Sequence, residues 1–355
     1  MKYTWQILAN GNAVNNVQGM SYSFGRRLKT DTFQPTTISL EGIKPNLLPS
    51  ISVGTNFAIA AYNGATPVFT WYGVVNDFRI NYGIVASMDT FVIDLEDSLA
   101  QAGRTVWSGT TTNNKQTALA AAEIGNFANV YVETVAGANN PGNGSQYCSA
   151  IVGSNDNMLD SFNQIAATEQ GIINGTGGAI IFSPRSPAGA SPVIELTDTT
   201  PQNAAIATTY QTLQIGGIAD ITASQVVVEP EGLASQSAGS PPRSFTVRTF
   251  DVSTAQAAST ASYIYSLLDF TVSKPISVSY FMESQTNDAG MNPYPYAVNI
   301  NFRGTKYTCE VLGGTMYATP DSTRWTLNLN KLPYDKFNFT LDSTYYGVLN
   351  QDKLG

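Results

Sequence analysis

The feature that most constrains the fold is a series of short apolar segments, separated by turn residues roughly every ten positions. Residues 90–96 show it most clearly, because Phe91, Ile93 and Leu95 occupy alternate positions. A period of two predicts a strand with one buried face. Other strands are predicted at residues 3–8, 14–24, 38–43, 51–54 and 57–62. Residues 68–80 are predicted to form either a strand pair or one bent strand broken at Gly73. Strands this short, at this spacing, indicate an antiparallel barrel or sandwich.

The pattern changes after Asp97, where helical spacing replaces alternation. Residues 98–102 and 115–127 predict two helices. A third helix is predicted to follow Asp156, since an aspartate can accept hydrogen bonds from the first free N–H groups of a helix. This region is therefore expected to form a separate unit.

A hairpin is predicted directly after the third helix. Gly171 is expected to end that helix, because glycine adopts the left-handed conformation without steric cost. Residues 172–173 begin a strand, residues 174–178 (Asn-Gly-Thr-Gly-Gly) supply a tight turn, and residues 179–182 form the returning strand. The middle of the chain is thus predicted to be a small helix-plus-hairpin unit.

The last part of the chain returns to strands. One helix is predicted at residues 253–270, because Ser253 followed by Gln256 is a capping-box pattern. We expect a mainly β protein with a few helices (α+β), in which two antiparallel β-barrel or sandwich domains flank the helix-plus-hairpin unit. The predicted domains are residues 1–97, 98–190 and 191–355, the last including a C-terminal tail.

The composition favours permanent contacts over catalysis. Only 12% of the 355 residues are charged, and polarity comes mainly from Asn, Gln, Ser and Thr, which suits large uncharged interfaces. The net charge of −8 argues against tight nucleic-acid binding, which needs a basic surface. It suits a passage that DNA slides through, although an ordinary acidic protein has the same charge.

Several chemistries are disfavoured by what the sequence lacks. Without histidine, the usual general base and the commonest zinc ligand are missing. Cys148 and Cys309 are too few for a disulfide framework and are expected to be buried or free thiols, although a pair is not excluded. The apolar runs are shorter than the roughly 18 residues of a membrane helix. No signal peptide opens the chain, so assembly in the cytoplasm is expected.

The densest acidic cluster is Asp94, Glu96 and Asp97. In a strand, Asp94 and Glu96 share one face and are candidates for a cation site or an acid pair. A solvated outer face explains them more simply. We therefore expect no catalytic residue, metal site or cofactor.

The sequence resembles the tail hub and minor tail proteins of tailed phages. A helix ending in Ala-x-x-Glu-x-Gly, then a strand, a glycine turn and a strand closing on Phe-x-x-Arg, fits that pattern. The matching positions are Glu169, Gly171, Gly178, Phe182 and Arg185. Similar short matches occur at residues 25–27, 341–350 and 353–355.

This resemblance implies a structural virion protein of the phage tail, assembled in the host cytoplasm. It implies a homotrimeric hub ring at the distal end of the tail, built from two related barrels in each chain. The expected partners are the distal tail protein, the tape measure protein and tip or fibre proteins. Genome DNA passes through such a ring without sequence-specific binding.

Two other functions remain open on the residues alone. A receptor- or carbohydrate-binding tail tip protein is indicated if exposed aromatic residues form a stacking platform. The candidates for that platform are Trp71, Tyr294, Tyr296, Trp325, Tyr345 and Tyr346. Strand cores and protein interfaces use the same residue types. A cell-wall hydrolase needs an acid pair in a cleft, for which the sequence offers few carboxylates.

Overall fold

The computed structural model describes residues 3–134, 144–176, 178–183, 194–198, 207–216, 224–268, 274–283, 288–293 and 297–331. The described part is mainly β with four α-helices, which confirms the predicted α+β class. None of its helices has the length and apolar character needed to cross a membrane. Arg185, the tyrosines at 294, 296, 345 and 346, and the C-terminal matches lie outside the described residues.

The regular elements within residues 3–96 are strands, apart from short 3₁₀ turns. The strands are β1 (Thr4–Ala9), β2 (Asn12–Ala13), β3 (Val17–Gly25), β4 (Thr37–Ile43), β5 (Asn56–Asn63), β6 (Thr66–Asn81) and β7 (Thr90–Glu96). The prediction for residues 51–54 was wrong, because they form a turn. The Ser52 N–H donates to Thr55 Oγ1 at 3.0 Å, and the Gly54 N–H donates to the Val75 carbonyl at 2.8 Å.

The middle of the chain alternates short strands with three helices. Its elements are α1 (Ser98–Arg104), β8 (Val106–Thr110), β9 (Lys115–Gln116), α2 (Thr117–Phe127), β10 (Tyr131–Thr134), β11 (Tyr147–Cys148), β12 (Val152–Asn157), α3 (Met158–Glu169), β13 (Ile172–Thr176) and β14 (Ala179–Ser183). The hairpin β13–β14 is present as predicted, and β10 adds to it in parallel. The cap of α3 is Asn157 rather than Asp156; its Oδ1 accepts from the Leu159 and Asp160 N–H groups.

The last part of the chain contains one helix among ten strands in the described ranges. They are β15 (Ile194–Thr197), β16 (Ala207–Thr209), β17 (Thr212–Gly216), β18 (Gln225–Pro230), β19 (Gln236–Gly239), β20 (Ser244–Thr249), α4 (Thr254–Leu267), β21 (Lys274–Phe281), β22 (Ala297–Phe302), β23 (Thr305–Ala318) and β24 (Thr323–Lys331). Ser253 caps α4 by accepting from the Gln256 N–H, as predicted, but the helix ends earlier than residue 270.

One large sheet joins strands from the beginning and the end of the chain. Its order is β2-β1-β5-β6-β7-β4-β3-β23-β22-β15-β16, and β24, β21 and β17 extend from the other edge of β23. Within the described residues the sheet is open, since β2 and β16 do not pair. β3 pairs with β4 and β23 rather than with β1. The division at residues 97 and 190 stays a prediction.

The junction of β3 with β23 requires glycine. Gly25 has φ +68°, and a Cβ there would lie 2.4 Å from the Leu312 carbonyl oxygen. A Cβ on Gly313 would lie 2.4 Å from the Phe24 carbonyl oxygen. The two backbones therefore approach too closely for any side chain, which explains the Gly25 in the phage-like segment 25–27.

An aromatic cluster covers this junction. Trp325 on β24 makes edge contacts with Tyr22, Phe24 and Phe69, with ring centroids 6.0, 5.8 and 6.3 Å apart. Trp5 contacts Phe69 in the same way at 5.7 Å. These residues come from both ends of the chain and lie in, or pack against, one hydrophobic core. Buried side chains of α1, α2 and α3 belong to the same core.

A smaller second core lies under α4. The sheet β19-β18-β20 packs on this helix through Val226, Val228, Ala257, Ala261 and Ile264. These residues form a cluster separate from the main core. The segment from 224 to 268 is therefore a compact β-α unit. It contacts the middle of the chain, where the Phe250 N–H donates to Thr168 Oγ1 of α3 and the Ser149 N–H donates to the Phe250 carbonyl.

Candidate functional site

Glu169, the last residue of α3, is a buried carboxylate that ties three segments together. Its oxygens accept hydrogen bonds from Thr117 Oγ1 (2.9 Å), Ser145 N–H (3.1 Å) and Oγ (2.8 Å), and Gln146 N–H (2.9 Å). Thr117 begins α2, and residues 145–146 lead into β11. A buried carboxylate is stable only when donors replace water, and this arrangement provides them. Glu169 is therefore a structural anchor of the middle unit.

The other positions of the phage-like pattern that the structure describes, Gly171, Gly178 and Phe182, also have structural roles. Gln170, not Gly171, takes the left-handed conformation that ends α3, with φ 57°. Gly171 is needed for another reason, since a Cβ there would lie 2.6 Å from the Ser183 carbonyl oxygen. Gly178 has φ +86° in the hairpin turn, and Phe182 is fully buried in the main core. The arrangement brings Glu169, Gly171 and Phe182 together where α3 meets the hairpin.

Asp97 fastens the middle unit to the large sheet. Its carboxylate accepts from the N–H groups of Leu99 and Ala100 at the start of α1, of Thr36 before β4, and of Gly175 in β13, at 3.0–3.3 Å. The side chain is buried. The sequence signal was present, because an aspartate directly before a helix is a typical N-cap. Its contacts with residues 36 and 175 were not predictable.

Replacing Asp97 with asparagine is expected to change how stability depends on pH. Burial raises the pKa of the Asp97 carboxyl above its ordinary value, although the backbone donors of Thr36, Ala100 and Leu99 oppose the shift. The folded chain then holds this proton more tightly than the unfolded chain, where the pKa is about 3.9. The contribution of the protonated Asp97 carboxyl to stability is complete below about pH 4. It is lost as the pH rises through the pKa of this carboxyl in the folded chain.

Urea unfolding of the wild type and of Asp97→Asn between pH 3.5 and 8 measures this effect. The variant should be less stable by about 1–2 kcal/mol at low pH, because its amide nitrogen faces backbone donors. The difference should shrink as the pH rises. Asp321→Asn, at an exposed position, controls for the removal of one carboxylate. A wild-type advantage that grows with pH would contradict the expected sign.

The other members of the acidic cluster contact separate protein donors. Asp94 accepts from Ser39 Oγ and pairs with Arg79, whereas Glu96 pairs with Arg104. In the described ranges, no group of three His, Cys, Asp or Glu side chains is placed to hold a metal ion. The geometry thus gives Asp94 and Glu96 a role in packing strands and helices together.

The remaining candidate residues that lie in the described ranges are mostly buried. Trp71 and Trp325 lie in the core, so they do not belong to an exposed stacking platform. Cys148 and Cys309 are both buried, which agrees with the expectation of buried thiols. Arg26 lies over the Phe33 ring at 4.3 Å and donates to the Asp31 carbonyl oxygen.

The most distinctive exposed surface is the loop between β6 and β7, residues 82–88, which we name the tip. Tyr82 is 79% exposed and Ile84 98% exposed, and Val85 and Met88 are also exposed. Leu47 belongs to the adjacent 3₁₀ turn and is also exposed. A hydrogen bond from the Lys44 N–H to the Asp89 carbonyl joins this turn to the base of the tip. Soluble monomers rarely leave such a group of apolar side chains uncovered.

The tip is a formed structure rather than an extended strand end. The Gly83 N–H donates to Asp89 Oδ1 at 2.9 Å, and residues 86–88 form a 3₁₀ turn. Burying each large apolar side chain there would contribute about 1.5–3 kcal/mol to an association. The sequence analysis did not predict the tip as an exposed surface, although the sequence shows apolar residues in the loop between two strands.

A cavity of about 290 Å³, which we name the groove, opens beside β1 and β3. Its lining combines apolar residues such as Trp5, Ile7, Val14 and Met20 with polar ones, and Thr4 and residues 15–19 and 318–320 complete it. None of these described lining residues is charged. Its size is near the lower limit of the roughly 300–1,000 Å³ of small-molecule sites, which suits a few side chains better than a large ligand.

Comparison with known proteins identifies the fold. No protein-family model and no curated protein matches the sequence. Solved structures do match. The 43 kDa tail protein of prophage MuSo2 from Shewanella oneidensis has 11% identity and a TM-score of 0.60, covering 93% of this chain and 98% of that one. A tail protein from Neisseria meningitidis has 12% identity and a TM-score of 0.64, covering 93% and 97%.

A third similar structure is the E. coli c3393 protein, with 12% identity and a TM-score of 0.56, covering 93% of this chain and 77% of that one. It is described as a type VI secretion component that resembles the T4 phage tail proteins gp27 and gp5. The resemblance to phage tail proteins indicated by the sequence is therefore confirmed for the fold: the chain has the fold that these phage tail proteins and the c3393 protein share.

Proposed function

We propose that this chain is a structural component of a phage tail, and specifically the hub ring at its distal end. The observation that carries the proposal is the near-complete, end-to-end correspondence of its fold with phage tail proteins. Low charge and an exposed apolar tip support a role in permanent assembly. In this role the side chains bind neighbouring proteins and perform no catalysis.

The proposed ring contains three copies and surrounds the passage for DNA. It joins the tail tube and distal tail protein to tip or fibre proteins, and it is assembled in the host cytoplasm and retained in the virion. The net charge of −8 supports this role, because an acidic wall repels the DNA phosphates and limits sticking. One matched protein is described as structurally similar to the T4 tail proteins gp27 and gp5, which supports a tail role. The resemblance of the sequence to tail hub proteins favours the hub over other tail positions.

Gold-labelled antibody against this protein, applied to intact particles and viewed by negative-stain electron microscopy, tests the location. We expect label only at the distal end of the tail. Antibody first absorbed with the purified protein is the control and should give no label. Label along the whole tail would indicate a tube protein, and particles that never bind the antibody would exclude a virion role.

A further inference from the structure

A second cavity, of about 130 Å³, lies where β17, β21 and β24 meet the segment that follows β3 and the end of α4. Three of the described residues that line it are cations, Arg27, Lys29 and Lys274, and none of those described is acidic. Arg27 and Lys29 follow β3, whereas Lys274 begins β21, so the cations come from two distant segments. In a chain with a net charge of −8, this is a marked local concentration of positive charge.

A carboxylate of the sheet balances one of these cations. Lys29 Nζ donates to the two oxygens of Glu310 at 2.8 and 3.0 Å, and both side chains of this pair are largely buried. Glu310 on β23 is the cross-strand partner of Asn330 on β24. Partners of this kind lie side by side on one face of a sheet. The sheet therefore presents an amide, and not a second carboxylate, beside Glu310.

The Asn330 side chain brings a hydrogen-bond donor to this cavity. Asn330 lines the cavity and is only 3% exposed, and its Oδ1 accepts from Lys274 Nζ at 3.1 Å. This contact fixes the orientation of the amide, because an ammonium group only donates. The Nδ2 atom of Asn330 has no hydrogen-bond partner among the described residues. A buried N–H without an acceptor is destabilising, so an acceptor in the cavity would stabilise the site.

We propose that this cavity binds one small oxyanion of the phosphate class, which accepts from Asn330 Nδ2 and is attracted by Lys274 and Arg27. At about 30 Å³ for each water, the cavity has room for roughly four waters, which is enough for such an anion. It is smaller than the roughly 300 Å³ at which pockets for larger ligands begin. An oxyanion suits this lining because it accepts from several donors at once, as Lys and Arg require. The site goes beyond the proposed function and does not depend on the position of the chain in a tail.

Titration with inorganic phosphate tests the site. The purified full chain is titrated by isothermal titration calorimetry, with phosphate replacing chloride at constant ionic strength. We expect saturable binding of one phosphate per chain. The midpoint of thermal unfolding should rise with phosphate concentration, because a ligand that binds only the folded chain stabilises it. Chloride at the same ionic strength should have neither effect.

Asn330→Asp is the sharpest variant, because it replaces the donor with a carboxylate of the same shape. It should weaken phosphate binding at least about tenfold, since it removes a hydrogen bond to the anion and adds a like charge. Asn81→Asp makes the same change of charge at an exposed position outside the described lining and should leave binding unchanged. Arg27→Gln, at an exposed position of the lining, should weaken binding about threefold.

The outcomes separate this inference from the proposed function. A wild-type chain that shows no saturable phosphate binding, or that responds equally to chloride, would overturn the oxyanion site. Binding that both Asn330→Asp and Arg27→Gln leave unchanged would place the phosphate elsewhere and overturn it too. Circular dichroism checks that each variant is folded, and if Asn330→Asp does not fold, Arg27→Gln alone decides. Antibody that labels no tail would remove the proposed function but not the site.

Discussion

Replacing Glu169 with alanine is expected to lower the free energy of unfolding by roughly 3–5 kcal/mol. The substitution leaves the Ser145 and Gln146 N–H groups and the Thr117 hydroxyl without the acceptor that they share. The Ser145 and Gln146 N–H groups begin the segment that leads into β11. Without the carboxylate, the attachment of this segment to α2 and α3 should weaken. Urea unfolding followed by far-ultraviolet circular dichroism measures the loss.

Two further substitutions make this result specific. Glu169→Gln keeps the size and one acceptor oxygen, so it should lose about half as much stability as alanine does. Glu229→Ala removes an exposed carboxylate and should change stability by no more than about 0.5 kcal/mol. If Glu169→Ala behaved like Glu229→Ala, the anchor role of Glu169 would be wrong.

Replacing Trp325 with alanine should destabilise the fold by about 3–5 kcal/mol. Its side chain is only 1% exposed and contacts three aromatic rings from β3 and β6. The cavity left behind would lie where strands from the two ends of the chain meet. Unfolding by urea, followed by circular dichroism because the substitution removes a fluorophore, is the measurement.

The matched variants for Trp325 separate packing from hydrogen bonding. Its indole N–H has no hydrogen-bond partner among the described residues. Trp325→Phe should therefore be much milder than Trp325→Ala, because most of the ring contacts remain. Tyr82→Ala, which removes a large ring that is 79% exposed, should leave stability nearly unchanged. Equal losses for Trp325→Phe and Trp325→Ala would mean that ring packing does not explain the effect.

Local elements were predictable wherever a short-range pattern specifies them. The alternation at 90–96 gives β7 with Phe91, Ile93 and Leu95 buried, and Ser253 with Gln256 gives the start of α4. The turn at residues 174–178 gives the β13–β14 hairpin. In each case the signal lies within a few residues, so the sequence is enough.

The contacts of the candidate site were harder to predict from the sequence than these local elements. Resemblance to phage tail proteins selected Glu169, but its donors come from residues 117, 145 and 146. The sequence shows Asp97 as a member of an acidic cluster. Its contacts with Thr36 and Gly175 could not be predicted, because they depend on packing between distant elements. The apolar residues of the tip are visible in the sequence, but their exposure depends on how the loop folds, and only the structure shows it.

The sequence by itself determined the mainly β class, the central helix and hairpin, the low charge and the likeness to phage tail proteins. These properties follow from composition and from patterns that span only a few residues. Only the tertiary structure decided that β23 pairs with β3 nearly three hundred residues away, and that the apolar side chains of the tip stay exposed. Strand pairing of this range depends on which apolar faces can be buried together, and that is settled by the packing of the whole chain.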